Sequence, residues 1–294
     1  MENGFIVMDS MRNEQHYTGV TQKFGITIEG ENYIVKISNS GLISQVYSEY
    51  VSSRFIRNLG VQCQEVWLGS YQKRPVAIIK DFKKPGEALH TFKDTRQSSE
   101  DTDLSGKEYT YTDVLRLIES HTKMRPEMRT AMVEQFWKQF ICDAILGNRD
   151  RHHGNWGYLV TPHGYAPAPL YDNGGSLFPE IEINIRDYEA DKFQFLSNRA
   201  EKFPASLFKT HRPDGSIRRT NYYEVCGQIM LPVFAKELTL PKIMGAIEGA
   251  TDYVFEPYKG FYKSIVCVRF LHIIKRLSVE EAYEQLQYYE NRTY

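Results

Sequence analysis

Residues 148–175 constrain this chain more than any other stretch. Asn148, Arg149 and Asp150 lead through Arg151, His152, His153 and Gly154 to Asn155, and the far end reads Leu170, Tyr171, Asp172, Asn173, Gly174, Gly175. Between these polar ends lie two apolar, aromatic-rich runs, and Thr161, Pro162, His163 and Gly164 supply a turn that reverses the chain. The pattern is loop, strand, turn, strand, loop, with no helical apolar repeat in the first loop. Closing the hairpin brings Asp172 back beside Asn155. Two carboxylates and an amide oxygen then share one small volume.

Such a set suits a base beside a hard-cation site for magnesium and phosphate. The chemistry it points to is phosphoryl transfer, in which one Asp orients the accepting hydroxyl while Asn and Asp oxygens hold the metal that bridges nucleotide phosphates. Asp150 and Asn155 have the D-x-x-x-x-N spacing of a kinase catalytic loop, and Asp172 with Gly174 matches the outer letters of the metal-binding D-F-G. His-Arg does not precede Asp150, and Asn173 stands where Phe is usual, so the inactive-state switching tied to that Phe is not carried over. Either half alone reads first as a surface turn whose Asp, Asn and Gly satisfy nearby backbone. Both halves in order, with further parts upstream, shift the balance.

Those parts are a lysine and a glutamate. Residues 17–28 read as a glycine-bracketed turn, with Gly19, Val20, Thr21, Gln22 and Lys23, leading into a strand, and a second strand follows at 32–37. Lys36 lies within that apolar strand, where an ammonium needs either solvent or an anion. A helix with a broad apolar face follows, from Ile43 to Leu59 and ending at Gly60, with Glu49 on its flank. Alone, these are an edge lysine and a solvated glutamate; in company, strand lysine then helix glutamate is the order of the kinase pair.

Asp150-x-His152-x-x-Asn155, a strand, then Leu170-Tyr171-Asp172 resembles the HipA-like serine/threonine kinases, and the length is similar to that of the compact CtkA-type members. Asp150-Arg151-His152 also looks like the catalytic loop of phosphoinositide kinases. The resemblance covers roughly residues 18–175. It implies an α+β, two-lobed, protein-kinase-like fold, with a small β-rich lobe at 1–84 and a larger, mainly helical lobe at 85–294. It implies ATP and Mg2+, with Asp150 catalytic, Asn155 and Asp172 on the metal, and Lys36 and the 19–23 turn on the phosphates. Lys80, Asp81 and Phe82 would form the linker whose backbone meets adenine, and His152, His153 and Tyr171 complete the cofactor surroundings. The acceptor implied is a protein Ser or Thr hydroxyl, and Thr18 or Thr21 could themselves be phosphorylated. No extra domain is evident before the turn, as full-length HipA toxins have, which leaves an antitoxin-like regulator open.

Elsewhere the reading is coarser. Strands are expected at 61–68 and 74–79 around a turn at 69–73, a polar loop at 95–106, and helices at 111–120 and 126–146. Trp137 and Trp156 read as core aromatics, and the adjacent His152 and His153 as loop-holding groups, since no third ligand has metal spacing. Residues 181–224 read as a mobile, charged segment that could receive substrate, and 231–294 as supporting helices ending in an amphipathic one at 279–289. The 294 residues are 25% charged with a formal net charge of -1, which gives no attraction to nucleic acid. Four scattered cysteines read as buried thiols, and the chain has neither a signal-peptide start nor an apolar run long enough to span a membrane. A cytoplasmic location fits, with specialised export left open. Two rivals also stay open: a phosphoinositide or small-molecule kinase, for which Arg212, Arg218 and Arg219 are the modest basic cluster, and a nucleotide-binding pseudokinase.

Overall fold

The computed structural model describes residues 3–15, 17, 22–38, 40–98, 110–202, 205–211, 214, 216–229 and 231–292. Its N-terminal part is a sheet of β1 (Phe5–Val7), β2 (Lys23–Ile28), β3 (Glu31–Ile37), β4 (Val66–Tyr71) and β5 (Arg74–Lys80), in the order β1-β4-β5-β3-β2. All pairs are antiparallel except β1 with β4. Strand alternation sorts the side chains: Tyr33, Val35, Ile37, Val76 and Ile78 form an apolar cluster on one face, while Ala77 and Ile79 join the main core on the other. Lys36 lies on the face of Ile34, Ala77 and Ile79, against α1 (Ile43–Asn58).

The expected strand at 61–68 is displaced. Residues 61–65 run beside Leu170 instead, whose N–H donates to the Gln62 carbonyl and whose carbonyl accepts from Gln64, both at 2.9 Å. The turn tightens to Gln72 and Lys73, with φ of 49° and 63°. This is primed-turn geometry without the Asn-Gly signature that announces it. The three-residue β1, Phe5-Ile6-Val7, has strand-forming residues but too few of them to show an alternation.

After β5 come β6 (Ala88–Thr91), α2 (Phe92–Ser98), α3 (Tyr111–Ser120), α4 (Pro126–Leu146), β7 (Gly157–Thr161) and β8 (Gly164–Pro167), with β6, β7 and β8 forming a three-stranded sheet. Part of the expected polar loop is therefore helix α2, and 99–109 lie outside the described residues. A Thr110–Asp113 capping box starts α3; Pro at the first turn starts α4 and left-handed Gly147 ends it.

The segment 181–224 is not a loop. It holds α5 (Ile181–Ala190), α6 (Lys192–Lys202), β9 (Ala205–His211), β10 (Ile217–Asn221) and the start of α7 (Tyr222–Gln228). Tyr188 and Phe195 pack edge-on against Phe261, at 5.3 and 5.8 Å between ring centres, so a few large aromatics outweigh a charged composition. The chain continues with α8 (Val233–Lys236), α9 (Leu240–Ala250), α10 (Tyr258–Arg269), which passes into a π-helical turn at Phe270–Ile274, and α11 (Val279–Glu290).

Helix α1 shares one apolar core with α4, α9 and α10. Arg54 and Asn58 donate to the carbonyls of Gly249 and Ala246 on α9, each at 2.9 Å. The glutamate-bearing helix is thus anchored to the helical part rather than hinged on the sheet. All four cysteines are buried free thiols. Among the described residues no helix is long and apolar enough to cross a membrane.

Candidate active site

Lys36 reaches from β3 to two carboxylates at once, Glu49 Oε2 and Asp172 Oδ1, each 2.7 Å from Nζ. Glu49 is only 3% exposed, so its charge is compensated here or not at all. Burial pushes the Lys36 ammonium down, but the two carboxylates more than reverse this and its pKa is raised. Burial likewise pushes Asp172 up, while Lys36 overrides it and holds the carboxyl at about 2. Asp172 adopts φ 55°, unusual for a residue with a side chain, and the lysine contact compensates for that strain. Directly opposite Lys36 in the β2–β3 register is Lys23, whose pKa is lowered by burial and by its neighbouring ammonium.

A second, deeper network ties the two loops of the hairpin. Arg151 and Asp143 of α4 are buried together, with Nε to Oδ2 at 2.9 Å and Nη2 to Oδ1 at 3.0 Å. One nitrogen of the same guanidinium donates to the carbonyls of both Asn155 and Tyr171, and the other reaches Asn173 Oδ1 at 2.6 Å. The first loop and the Asp172 loop are therefore stitched to each other through one cation. Asn148 extends the stitch: its amide donates to Asp143 at 2.9 Å, its side-chain oxygen accepts from the Asp150 N–H at 2.9 Å, and its carbonyl accepts from Tyr222 Oη at 2.8 Å.

Asn173 occupies the centre. Its N–H donates to Glu49 Oε1 at 2.9 Å, and its side-chain amide donates to Ser53 Oγ and Cys63 Sγ at 3.0 and 3.2 Å. Gln64 also donates to Glu49 Oε1 and accepts from the Asp172 N–H. Sequence reasoning missed Arg151, Asp143, Asn148 and Gln64. The available signal was Asp143, a carboxylate amid Phe140, Ile141, Ala144 and Ile145 on a buried helix, which had to have a cationic partner.

Lys36, Glu49, Asp150 and Asp172 line one cleft of about 550 Å³, together with Gly174, Gly175, Arg149, Glu180 and Arg219. Asp150 opens onto it, and the surrounding walls desolvate its carboxylate enough to raise its pKa, with His152 opposing. Gly175 permits this arrangement: a Cβ there would lie 2.6 Å from Asp150 Cβ. One at Gly174 would lie 2.9 Å from Glu49 Oε2.

Asn155 is buried beneath the loop, its amide nitrogen donating to the Asp150 carbonyl at 2.9 Å. That bond uses the amide nitrogen, so the group Asn155 has to offer a cation is its side-chain oxygen, as Asp172 has its carboxylate. No group of three or more His, Cys, Asp or Glu forms a metal cage among the described residues. Two protein oxygens fit a magnesium ion whose other ligands are phosphate and water.

The remaining candidates are more dispersed. His152 accepts from the Gly154 N–H through Nδ1 at 3.0 Å and shapes the turn, while His153 packs on Phe92 at 5.7 Å. Lys80 points to Glu31, and Asp81 is held by Lys83 and Tyr17. The Lys80 and Asp81 amides donate to Glu65 and Asn32 within the sheet, so neither is available to a ligand. Phe82 stands 5.8 Å from the Tyr171 ring, the two forming an aromatic pair beside the linker. The Gln22 carbonyl accepts from the Ile37 N–H. Gly19, Val20 and Thr21, with Thr18, lie outside the described residues.

A Helicobacter pylori (strain J99) protein named serine/threonine-protein kinase CtkA is 29% identical over 238 residues, covering 78% of this chain and 70% of its own. The crystal structure of a Helicobacter pylori proinflammatory kinase CtkA superposes with a TM-score of 0.74 at 27% identity, over 90% of this chain and 94% of that one. HipA from Shewanella oneidensis MR-1, solved with HipB and operator DNA, superposes with a TM-score of 0.58 at 16% identity, over 95% of this chain and 69% of its own, a likeness of fold alone. The expected α+β, kinase-like fold is the one found. A family model described as HipA-like C-terminal domain matches residues 16–221, and the chain belongs to that family.

Proposed function

We propose that this protein is an ATP-dependent serine/threonine protein kinase. The observation that carries the reading is Lys36, held between Glu49 and Asp172 at 2.7 Å each, in the cleft onto which Asp150 opens. Lys36 and Lys23 bind nucleotide phosphates, and Glu49 keeps Lys36 in position. Asn155 and Asp172 would hold Mg2+, which would supply charge neutralisation for the phosphates. Asp150 orients the acceptor hydroxyl and takes its proton; a carboxylate with a raised pKa is the better base for that role. The acceptor oxygen bonds to the γ-phosphorus as the bond to the β–γ bridging oxygen breaks, and ADP leaves with the electron pair. At the linker, with the Lys80 and Asp81 amides engaged, the backbone of Phe82 is the group left to read adenine.

The names of the CtkA relatives support a protein acceptor over a lipid or small molecule. The test is transfer of label from γ-labelled ATP with Mg2+ to an acidic and a basic carrier protein, beside Asp150→Asn and Asp172→Asn, with nucleotide affinity measured separately. Label on protein that both substitutions abolish, with nucleotide still bound by Asp150→Asn, is the expected result. Undiminished transfer by Asp150→Asn would sink the assignment. A mass increase at Thr18 or Thr21, absent from Asp150→Asn, would mark transfer within the chain.

A further inference from the structure

The cleft has an acidic inner end and a basic mouth. Lys36 is taken up by Glu49 and Asp172, so at the inner end Asp150 keeps its charge towards the acceptor. At the mouth stand Arg149 and Arg219, with Glu180 as the acidic side chain between the cleft and α5. Arg149 Nη2 lies 2.7 Å from Glu180 Oε2, and both side chains are nearly half exposed. Such pairs are weak and exchange readily, because water screens them and solvates either partner alone. Arg219 is exposed, and no ion pair involves it among the described residues.

The position of Arg219 is not accidental to its strand. Three residues beyond it, Tyr222 begins α7, and its buried hydroxyl donates to the Asn148 carbonyl at 2.8 Å. The side chain of the same Asn148 accepts from the Asp150 N–H. The end of β10 is thus tethered to the loop that carries Asp150, and Arg219 lines the same cleft as that residue. Glu180 already shows the ligand chemistry that this wall accepts: a carboxylate seated on Arg149.

We propose that Arg149 and Arg219 form an anion subsite on the acceptor side, which binds a side-chain carboxylate flanking the acceptor hydroxyl of an acidic polypeptide. Glu180 is its intrachain stand-in, displaced when the polypeptide docks. Asp150 repels the same carboxylate from the inner end, so the acidic group is read beside the acceptor and not in its place. This rests on the phosphotransfer reading of the cleft, and its test is arranged to separate the two.

Peptides with one serine and Glu, Ala or Lys on its flanks are compared for kcat/KM with the unaltered protein, Arg219→Glu and Glu180→Gln. The unaltered protein is expected to favour the Glu-flanked peptide roughly 1.5- to fivefold, the size of a half-exposed charge pair, and to lose the preference at high salt. Arg219→Glu reverses the preference towards Lys, read as the ratio of kcat/KM for the Lys- and Glu-flanked peptides, in which any common change of rate cancels. Glu180→Gln, which empties Arg149, lowers KM for the Glu-flanked peptide, a gain that a merely structural Glu180 would not produce. Binding of the same peptides, labelled with a fluorophore, to Asp150→Asn is measured in parallel. Glu-flanked binding that depends on Arg219, with no phosphorylation of any peptide by the unaltered protein, would uphold the subsite and refute phosphotransfer to peptides. Equal rates and equal binding for all three peptides, or an Arg219→Glu variant with unchanged preference, would overturn the subsite.

Discussion

Replacing Arg151 by Met tests whether one buried cation holds the two site loops together. The guanidinium makes five hydrogen bonds: two to Asp143 and one each to the Asn155 carbonyl, the Tyr171 carbonyl and Asn173 Oδ1. Met fills similar volume and makes none of them. Asp143, 1% exposed, would keep only the Asn148 amide. Breaking a buried pair from one side costs about 3–5 kcal/mol, against a total stability on the order of 5–15 kcal/mol. The single variant is therefore expected to be near the edge of folding.

The informative sample is the double variant, Asp143→Leu with Arg151→Met. It removes the stranded charge, so its stability rises above the sum of the single losses by about 2 kcal/mol or more. It does not return to the unaltered value, because the Asn155 and Tyr171 carbonyls remain without their donor, at about 1–3 kcal/mol each if they stay buried. Urea unfolding of the four proteins closes the cycle, and label transfer is measured on the same samples. The double variant should fold yet transfer label at least roughly 100-fold more slowly, since small misplacements of positioned groups have effects of that size. Additive losses, or a double variant with undiminished transfer, would refute the role given to Arg151.

Lys36→Met should abolish label transfer and remove the cation that holds the Asp172 carboxyl at about 2. A depressed carboxyl stabilises the fold above its unfolded pKa, about 3.9, and that contribution is lost as pH falls towards the folded value. Urea midpoints at about pH 7 and pH 3 should therefore differ less for Lys36→Met than for the unaltered protein, and an identical difference would contradict the coupling. The raised pKa of Asp150 places the acid limb of the kcat/KM profile above the ordinary carboxyl value of 3.8, and a limb at or below it would argue against Asp150 as the base. Gly175→Ala introduces a Cβ 2.6 Å from Asp150 Cβ and should cut transfer on the order of 100-fold while nucleotide binding persists; unchanged transfer would show that the loop yields freely.

What could be read from the sequence was whatever is written locally. Asp150 and Asp172 stand at the two ends of one hairpin and line one cleft, with Asn155 bonded to the Asp150 carbonyl, and α3 and α4 carry their capping residues and apolar periods openly. Lys36 and Glu49 were legible by order, and their contact is observed at 2.7 Å. The failures are tertiary. Residues 61–64 alternate apolar and polar side chains as a strand of the first sheet would, but their backbone partner is Leu170, which no local rule names. Helices α5 and α6 are charged in composition and are held by Tyr188 and Phe195 on Phe261, a residue far along the chain. Arg151 stood inside the catalytic motif as an unassigned letter. Its function needs Asp143 on one side and Asn173 on the other, and only the closed structure brings these three together.

Asn173 gives the substitution in the D-F-G-like motif a physical meaning. An apolar side chain at that position can leave its slot at the expense of buried area alone, which is how a switch with two comparable states is built. Asn173 cannot leave so simply. Its departure would break four hydrogen bonds at once: those it donates to Glu49 Oε1, Ser53 Oγ and Cys63 Sγ, and the one it accepts from the buried Arg151 guanidinium. At about 1.5–3 kcal/mol for each of the two bonds to charged groups and about 0.5–1.5 kcal/mol for each of the other two, the losses together come to about 4–9 kcal/mol, the size of the roughly 5.5 kcal/mol that separates a 99:1 population from its reverse. Helix α1 is held besides by Arg54 and Asn58 on α9 towards its C-terminus and by the Ser44 hydroxyl on the Pro179 carbonyl at its N-terminus, so rotation of Glu49 away from Lys36 would break bonds at both ends of the helix. The lysine, the glutamate and both loops therefore form one preassembled unit. Control of such a site falls to groups at its mouth, where Arg149 and Glu180 are half exposed and exchange is cheap, rather than to its buried centre.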